Sequence, residues 1–280
     1  MASMRDIKRR KSSIQSTQQI TKAMKLVSTV KLQRAKQRAE QSRAYFDVMY
    51  QTVSSMLAKA ANIQHPYTIG NDSHRKAIVM ITGNRGLAGG YNSNIIKLIT
   101  KSGFNQENVD IYAIGNKGRD TMNRLGYTIK EAYGELAEEP SYPEAMQICR
   151  SLLTSYKNGE VGEIYLAYTS FKNTVSHEPK LIRLLPAETS SGDTTVAMNF
   201  EPEEEDALEF LIPQYVSSLI FGGLVESVAS ENGARMQAMD SATSNAEEMI
   251  SSLSLMYNRA RQGAITQELT EIIAGAEAIS

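Results

Sequence analysis

Apolar residues recur at spacings of three and four along the last third of the chain. The positions that follow this spacing are Met236, Met239, Ala242, Ala246, Met249, Leu253, Met256, Ala260 and Ala264. A sustained step of about 3.5 residues keeps one apolar stripe against a neighbouring helix when the two helices supercoil around each other. The pattern therefore predicts a long C-terminal helix in a coiled coil with a close, Ala- and Met-rich seam.

The first segment has a weaker form of the same pattern. Ile20, Met24 and Val27 are spaced by three and four and are followed by a basic stretch with few apolar positions. All seven prolines lie between Pro66 and Pro213, so both ends of the chain can be continuous helices. We predict helices over 1–65 and 201–280 that pack against each other, with a break or kink at Pro213.

Short apolar runs alternate with helical stretches between these two segments. The predicted strands are 77–81, 109–114, 127–132 and 163–168, with an edge strand at 180–185, and the predicted helices are 92–100, 117–125 and 141–156. Alternating strands and helices favour a mostly parallel sheet. The fold class is thus α/β, with a Rossmann-like α/β domain over 66–200 inserted between the two long helices.

Charge is distributed unevenly, although the total is only −1. The first sixty residues carry thirteen Lys and Arg against three acids, a net charge of +10, and residues 201–280 carry three against fourteen, a net charge of −11. A basic helix of this kind suits nucleic acid, a membrane surface or an acidic protein. No aromatic residue interrupts the basic stretch before Tyr45, which favours an acidic protein partner and leaves a coiled-coil nucleic-acid-binding module as the alternative.

Cysteine and histidine usage excludes several classes of site. Cys149 is the single cysteine, so the chain has no internal disulfide and no thiolate metal cluster. The three histidines lack partners at ligand spacing, and we expect His177 to lie in a solvated loop and Cys149 in a helical core. No uninterrupted apolar run approaches the length of a membrane-spanning helix, so no bilayer crossing is expected.

A glycine-rich turn, 83–90, follows the first predicted strand. It lacks the Gly-Lys-Ser/Thr ending of a phosphate-binding loop, and Arg85 stands where the dinucleotide fingerprint requires glycine. The glycines are therefore interpreted as permitting a tight turn from strand to helix. Binding of an anion by Arg85 at the helix N-terminus, and a nucleotide-dependent enzyme built on the α/β domain, remain alternatives.

Three motifs carry a resemblance to a known family. They are Gln-Gln-Ile-Thr-Lys-Ala-Met-Lys-Leu-Val-Ser at 18–28, Arg-Gly-Leu-Ala-Gly-Gly-Tyr-Asn at 85–92, and Tyr-Asn-Arg-Ala-Arg-Gln-Gly-Ala-Ile-Thr-Gln-Glu-Leu-Thr-Glu-Ile-Ile at 257–273. Together they resemble the gamma subunits of F-type ATP synthases. The resemblance covers nearly the whole chain and agrees with the order helix, α/β insert, helix.

The resemblance implies a rotor shaft without a catalytic site or cofactor of its own. In that family the terminal helices form an antiparallel coiled coil inside a ring of three alpha and three beta subunits. The α/β domain lies at the foot, against the epsilon subunit and the membrane c-ring. Proton-driven rotation of the c-ring would turn the shaft and drive each beta subunit through its nucleotide-binding states. No nucleic acid and no direct membrane span are implied.

Individual positions match the family's contact residues. By similarity, the shaft-to-ring contacts are Met24, Lys25, Arg235, Gln262 and Thr266, and the segment that approaches the c-ring and epsilon subunit contains Phe200 and Glu201. Because a shaft must turn within the surrounding ring of subunits, we also expect no large apolar side chains on its outer face.

Two departures bear on regulation and source. Ala88 stands where many relatives have cysteine, and the cysteine-bearing insertion of chloroplast relatives is absent, so thiol control is not expected. No presequence precedes the first helix, which favours a bacterial protein held peripherally at the cytoplasmic side of the cell membrane.

Overall fold

A computed structural model of the chain describes residues 4–59, 65–187 and 204–277. The chain separates into two compact units, one formed by Met1–Ser28 with Met236–Ser280 and the other by Thr29–Arg235. The boundary between the units falls within both long helices, whereas the sequence suggested domains that follow the elements. Each unit is defined by residues that pack together, whatever their position in the sequence. Helices α1 and α6 are long enough that each contributes residues to both units.

Two long helices stand at the ends of the described chain. Helix α1 covers Met4–Lys59 and α6 covers Glu204–Glu277. Helix α6 continues through Pro213, so the helix does not break there, and a kink at Pro213 stays a prediction. The Pro213 carbonyl accepts hydrogen bonds from the Ser217 hydroxyl at 2.7 Å and the Cys149 thiol at 3.4 Å. These side chains and the apolar packing of this stretch stabilise the helix on both sides of the proline.

The α/β domain is built on a five-stranded sheet. In chain order its elements are α2 (Pro66–Ile69), β1 (Lys76–Ile81), α3 (Tyr91–Thr100), β2 (Val109–Ile114), α4 (Asn116–Arg124), β3 (Thr128–Tyr133), α5 (Tyr142–Lys157), β4 (Glu163–Phe171) and β5 (His177–Leu185). The strand order is β3-β2-β1-β4-β5, with β5 alone antiparallel. The predicted α/β class and strand sequence are confirmed; α2 was missed because a four-residue helix carries no periodicity.

The inner strands β1 and β2 are buried on both faces of the sheet. On one face, β1, β2 and β4 pack against α5 and against the α6 stripe Leu208, Ile212, Val216, Ile220 and Leu224. On the other face, Ile95 and Ile99 of α3 and Met122 of α4 cover the strands. Burial on both faces explains why β1 and β2 are continuous apolar runs rather than alternating ones.

Three side-chain contacts define how α1 and α6 pack in the unit that contains both helix segments. The Gln18 amide donates to the Glu247 carboxylate at 3.0 Å, the Thr21 and Thr243 hydroxyls lie 2.8 Å apart, and the Lys25 ammonium donates to Asp240 at 2.5 Å. As the residue number rises on α1 it falls on α6. The two helices are therefore antiparallel, and the predicted antiparallel coiled coil is confirmed.

The seam on α1 lies on a different face from the one expected. Ile20 and Val27 are mostly exposed, whereas Ile7, Thr21 and Ser28 are buried. Between residues 4 and 40, most positions that are buried or half-buried follow a regular three-and-four alternation: Met4, Ile7, Lys11, Ile14, Gln18, Thr21, Lys25, Ser28, Leu32, Ala35 and Ala39. Met24, Thr29 and Lys36, which lie beside this stripe, are also half-buried. Several of these residues are polar, so a search for apolar periodicity found the wrong stripe.

On α6 the expected seam is half right. Met239, Ala246 and Leu253 are buried, but Met249 and Met256 are 43% and 57% exposed. The other seam positions are Thr243, Ile250 and Tyr257. Each lies one residue after a predicted position, namely Ala242, Met249 and Met256. Leu255, at 73% exposed, also points outward, so methionine and leucine lie on the outer face as well as in the seam.

The C-terminal end of α6 is exposed along its length. By the register of Thr21 with Thr243, the start of α1 comes level with Ala260, and all residues from 261 to 276 are exposed. This stretch presents four large apolar side chains, namely Ile265, Leu269, Ile272 and Ile273. The expectation of an outer face without large apolar anchors is therefore wrong.

Candidate functional site

The glycine-rich turn is closed by its own motif. The Asn92 side chain accepts a hydrogen bond from the Gly83 N–H at 2.8 Å and donates to the Arg85 carbonyl at 3.3 Å, which joins the two ends of the turn. Leu87 has a φ of 62° and Gly89 a φ of 55°, so the chain passes through the left-handed region twice within three residues. The predicted tight strand-to-helix turn is confirmed, and it contains a strained leucine.

Helix α6 packs directly onto this turn. The Glu231 carboxylate forms an ion pair with Arg235, one helical turn further along, and the two side chains are 9% and 13% exposed. A Cβ atom at Gly83 would lie 2.6 Å from a carboxylate oxygen of Glu231. The Arg235 guanidinium also reaches the Gly86 carbonyl at 3.4 Å. Glycine at position 83 thus permits a close approach between the turn and a buried acid.

Tyr91, which follows the turn, belongs to the same contact. Its side chain is 5% exposed, and burial raises the pKa of the phenol above its usual range. The Glu231 carboxylate raises this pKa further, while Ser227 and Arg235 act in the opposite direction. The phenol is therefore neutral, and it lies between the turn and α6.

This geometry does not support the nucleotide-binding alternative. In doubly wound sheets, phosphates lie at the carboxyl ends of the strands beside the point where the strand order reverses. Here that point lies between β1 and β4, and the turn after β1 is covered by the Glu231 carboxylate of α6. The Glu231 carboxylate occupies the space beside Gly83 that a phosphate would need, so the turn is a helix-binding element rather than a phosphate cradle.

The predicted contact residues occupy different environments. Arg235 is largely buried and paired as described, and Lys25 is half-buried and paired with Asp240. Met24 is half-buried beside Lys25, whereas Gln262 and Thr266 are exposed near the end of α6. Of the four that lie in one compact unit, Lys25 and its neighbour Met24 come level with Asp240 on α6, far along the helix from Gln262 and Thr266. Phe200 and Glu201 lie outside the described residues.

Arg85 is not enclosed by an anion site. Its side chain is 80% exposed, and its guanidinium lies 3.7 Å from the Glu138 carboxylate. Lys31 of α1 approaches the same carboxylate at 3.9 Å. Glu138 therefore lies between two cations from different elements, and binding of an anion by Arg85 stays a prediction.

The other two singled-out residues lie in the α/β domain. Cys149 is 1% exposed, and burial raises the pKa of its thiol to about 11, as expected for a core residue. His177 begins β5 instead of lying in a solvated loop, so that expectation is wrong. Neither ring nitrogen of His177 makes a hydrogen bond within the described chain, and a Cβ at Gly233 would lie 2.7 Å from the ring.

The described residues hold neither a metal-binding cluster nor strong evidence of a membrane span. No group of three or more His, Cys, Asp or Glu residues there could hold a metal ion. By length and composition alone, α6 over Leu208–Ala276 is apolar enough to cross a membrane, but half of its apolar window is buried inside the protein. Core helices of soluble proteins have the same property, so this is weak evidence for a span.

Comparisons with known proteins define the class and then the family. A family model described as ATP synthase matches residues 3–279. The ATP synthase gamma chain of Lachnoclostridium phytofermentans is 60% identical, and the alignment covers all of both chains. The sodium-ion-specific ATP synthase gamma chain of Acetobacterium woodii is 39% identical over 99% of both chains. The chain belongs to the ATP synthase gamma chain family.

Solved structures agree with this assignment. A chain in the central stalk and c-ring structure of Tetrahymena thermophila mitochondrial ATP synthase is 25% identical, with a TM-score of 0.63 over 80% of this chain and 99% of that one. A chain in the rotor of Euglena gracilis mitochondrial ATP synthase has a TM-score of 0.69 at 19% identity, over 94% of this chain and 98% of that one. The second match supports the fold alone.

Sequence analysis missed the residues that fix the turn to α6. Glu231 and Tyr91 were not singled out, and Arg235 was considered only as an outward contact. The i,i+4 spacing of an acid and an arginine was visible and is a known helix pair. The approach of that pair to Gly83 joins positions that are distant in sequence, so no local pattern could reveal it.

Proposed function

We propose that this chain is the rotor shaft of an F-type ATP synthase and has no catalytic site of its own. Its partners are three alpha and three beta subunits, the epsilon subunit and the c-ring. The single observation that carries the proposal is the match to gamma chains over the full length, with the family's three motifs placed where a shaft requires them. Rotation of the c-ring turns this chain. As the chain turns, each beta subunit meets a different face of the shaft and passes to another nucleotide-binding state.

The 18–28 motif accounts for one end of the shaft. It supplies the polar seam contacts of Gln18, Thr21 and Lys25 to α6. It also leaves apolar side chains on the outer face, with Ile20 60% and Leu26 62% exposed. Exposed apolar residues of this size favour burial against a partner.

The 257–273 motif accounts for the other end. Residues 261–276 are all exposed in the described chain, and they include large apolar side chains: Ile265, Leu269 and Ile272 are 48%, 54% and 64% exposed. A ring of alpha and beta subunits around this stretch would bury these side chains. Gln262 and Thr266 lie on the same exposed stretch, which suits their proposed role as ring contacts.

We assign the remaining contacts by the same family match. Met24, Lys25 and Arg235 would face the ring, and Phe200 with Glu201 would approach the c-ring and epsilon side. Lys25 and Arg235 already have acidic partners in this chain, so contact with a beta subunit requires them to share or exchange those partners. The complex would lie peripherally at the cytoplasmic side of a bacterial membrane, with no nucleic acid bound.

The ion that drives rotation is proposed to be the proton. The Acetobacterium woodii relative is named as specific for the sodium ion at 39% identity. The choice of ion belongs to the c-ring, which is a separate chain. Ion dependence of ATP-driven transport by the whole complex distinguishes the two ions.

The test is purification of the tagged chain from its own membranes in mild detergent. Native mass spectrometry gives the stoichiometry, and ATPase activity is measured on the same eluate. We expect one copy with three alpha and three beta subunits and active hydrolysis. Recovery of the chain alone, or with nucleic acid, would overturn the proposal.

A further inference from the structure

The glycine-rich turn and α6 are joined by a contact whose members come from both elements. On the turn are Gly83, the Gly86 carbonyl and the neighbouring Tyr91; on α6 are Glu231 and Arg235. All five lie in the same compact unit. The contact is polar and nearly enclosed, which distinguishes it from the apolar packing of α6 on the sheet below it.

Enclosure makes this contact intolerant of partial loss. A buried ion pair stabilises little relative to an apolar pair, but removal of one partner leaves an uncompensated buried charge and is strongly destabilising. Glu231 is 7% exposed as a residue, so its carboxylate cannot exchange Arg235 for water. The pair therefore favours one arrangement of the turn on α6 over nearby alternatives.

Gly83 makes the contact specific in position as well as in charge. Its absent side chain leaves the space that the Glu231 carboxylate fills, and the nearest approach would be 2.6 Å if a Cβ were present. A charge-assisted hydrogen bond between a guanidinium and a carboxylate is directional, so a carboxylate that lies against a glycine and is held by Arg235 is fixed in position. Rotation of α6 about its own axis would break the contact.

We infer that Glu231 is a positioning residue that locks α6 to the α/β domain against rotation under load. The inference rests on the proposed rotor function, because torque that enters through the α/β domain must pass to α6. Helix α6 continues without a break from Glu231 to Glu277, so a lock at this point transmits rotation to the whole C-terminal stretch. Gly83 and Arg235 act through Glu231.

The test compares variants in the assembled complex. Glu231→Gln keeps the volume and removes the charge, and Gly83→Ala displaces the carboxylate. Gly222→Ala, also on α6, is the matched control, because a Cβ at that position would meet no atom within 4 Å apart from its own stretch of helix. Two quantities are measured: the amide exchange of residues 83–92, and the ratio of ATP-driven ion transport to ATP hydrolysis.

For Glu231→Gln and Gly83→Ala we expect at least about tenfold faster amide exchange in the turn. The first variant removes the charged partner of Arg235, and the second fills the space that the Glu231 carboxylate occupies. We also expect a lower ratio of transport to hydrolysis at unchanged subunit stoichiometry. Gly222→Ala should keep the parental ratio of transport to hydrolysis. Arg235→Lys retains the positive charge and should lower that ratio less than Glu231→Gln does. A parental ratio in both assembled variants would overturn the lock.

An exchanged pair separates the lock from ordinary helix stabilisation. Glu231→Arg combined with Arg235→Glu retains an i,i+4 ion pair but moves the carboxylate away from Gly83. We expect no recovery of the ratio; full recovery would overturn the role of the seat on Gly83. Failure of the parental chain to assemble would instead overturn the rotor function, and the rotational role of Glu231 with it.

Discussion

At the scale of single residues, burial changes the chemistry of side chains that the sequence presents as ordinary. His177 contacts Phe171, with ring centroids 5.7 Å apart, and lies over Gly233 of α6. Burial lowers the pKa of the imidazole below its usual value of 6.5, partly offset by the Thr174 backbone. The charged groups around it are Lys36 above the Phe171 ring and the Lys172–Glu178 pair in the same hairpin.

The lowered pKa of His177 predicts acid sensitivity of the β4–β5 hairpin. Below about pH 6.5 the unfolded hairpin binds a proton that the folded one excludes, so folded stability falls as the pH drops and levels off below the folded pKa. We expect protection against amide exchange, corrected for intrinsic rate, to fall by up to about tenfold per pH unit between 6.5 and the folded pKa.

Two variants check this prediction. His177→Gln removes the titrating group and should make protection of residues 171–178 independent of pH. His74→Gln, at an exposed histidine in the same domain, should leave the pH dependence intact. An unchanged pH dependence in His177→Gln would refute the assignment to His177.

At the scale of elements, the coiled coil is held by alternate positions that are only partly apolar. The seam includes a pair of threonine hydroxyls, Thr21 and Thr243, with a glutamine and a lysine on either side. Each hydroxyl also lies near a carbonyl of its own helix, the Gln18 carbonyl at 3.0 Å and the Met239 carbonyl at 2.7 Å. A seam of this kind fixes register through polar contacts, while Leu253 and Met239 supply the apolar burial.

Leu253 and Met256, one turn apart on α6, separate the seam from the outer face. Leu253→Ala should lower the free energy of unfolding by about 2–3 kcal/mol because it leaves a cavity in the seam. Met256→Ala, at a side chain 57% exposed, should change it by less than about 0.5 kcal/mol. Urea denaturation of the purified chain, followed by circular dichroism, measures both; similar values would contradict the seam described above.

At the scale of the whole molecule, the end of α6 is helix without intramolecular support. Residues 261–276 are all exposed to solvent, and isolated helices of this length are marginal in water. The stretch therefore depends on neighbours from other chains for its stability. Burial against other chains would also explain why this stretch carries exposed isoleucine and leucine side chains, which are unfavourable in contact with water.

Removal of residues 271–280 tests this dependence. Because residues 271–276 are exposed and extend beyond the level at which α1 begins, we expect an unchanged fold and unchanged assembly, with partial ATP hydrolysis and ion transport. Removal from Arg261 onward deletes Gln262 and Thr266 as well and should lower both rates further. Circular dichroism of the chain and activity of the complex distinguish the two truncations; complete loss of assembly in the shorter deletion would contradict the expectation.

The sequence by itself determined the elements and their order. Apolar runs such as 77–81 and 109–114 identify buried strands, and the absence of proline before 66 permits the long first helix, because these signals are local in the chain. The 3.5-residue step identified a coiled coil and placed Met239, Ala246 and Leu253 in it. Family resemblance added the functional assignment, and it supplied contact positions that stay predictions.

Only the tertiary structure decided which face of each helix is buried and what the glycine-rich turn holds. The polar seam residues Thr21 and Ser28 carry no apolar signal, so their burial follows from the partner helix and not from their own sequence. The approach of Glu231 to Gly83 joins residues about 150 positions apart and depends on how α6 crosses the ends of β1 and β4. Packing between distant segments sets such contacts, and no pattern within either segment encodes it.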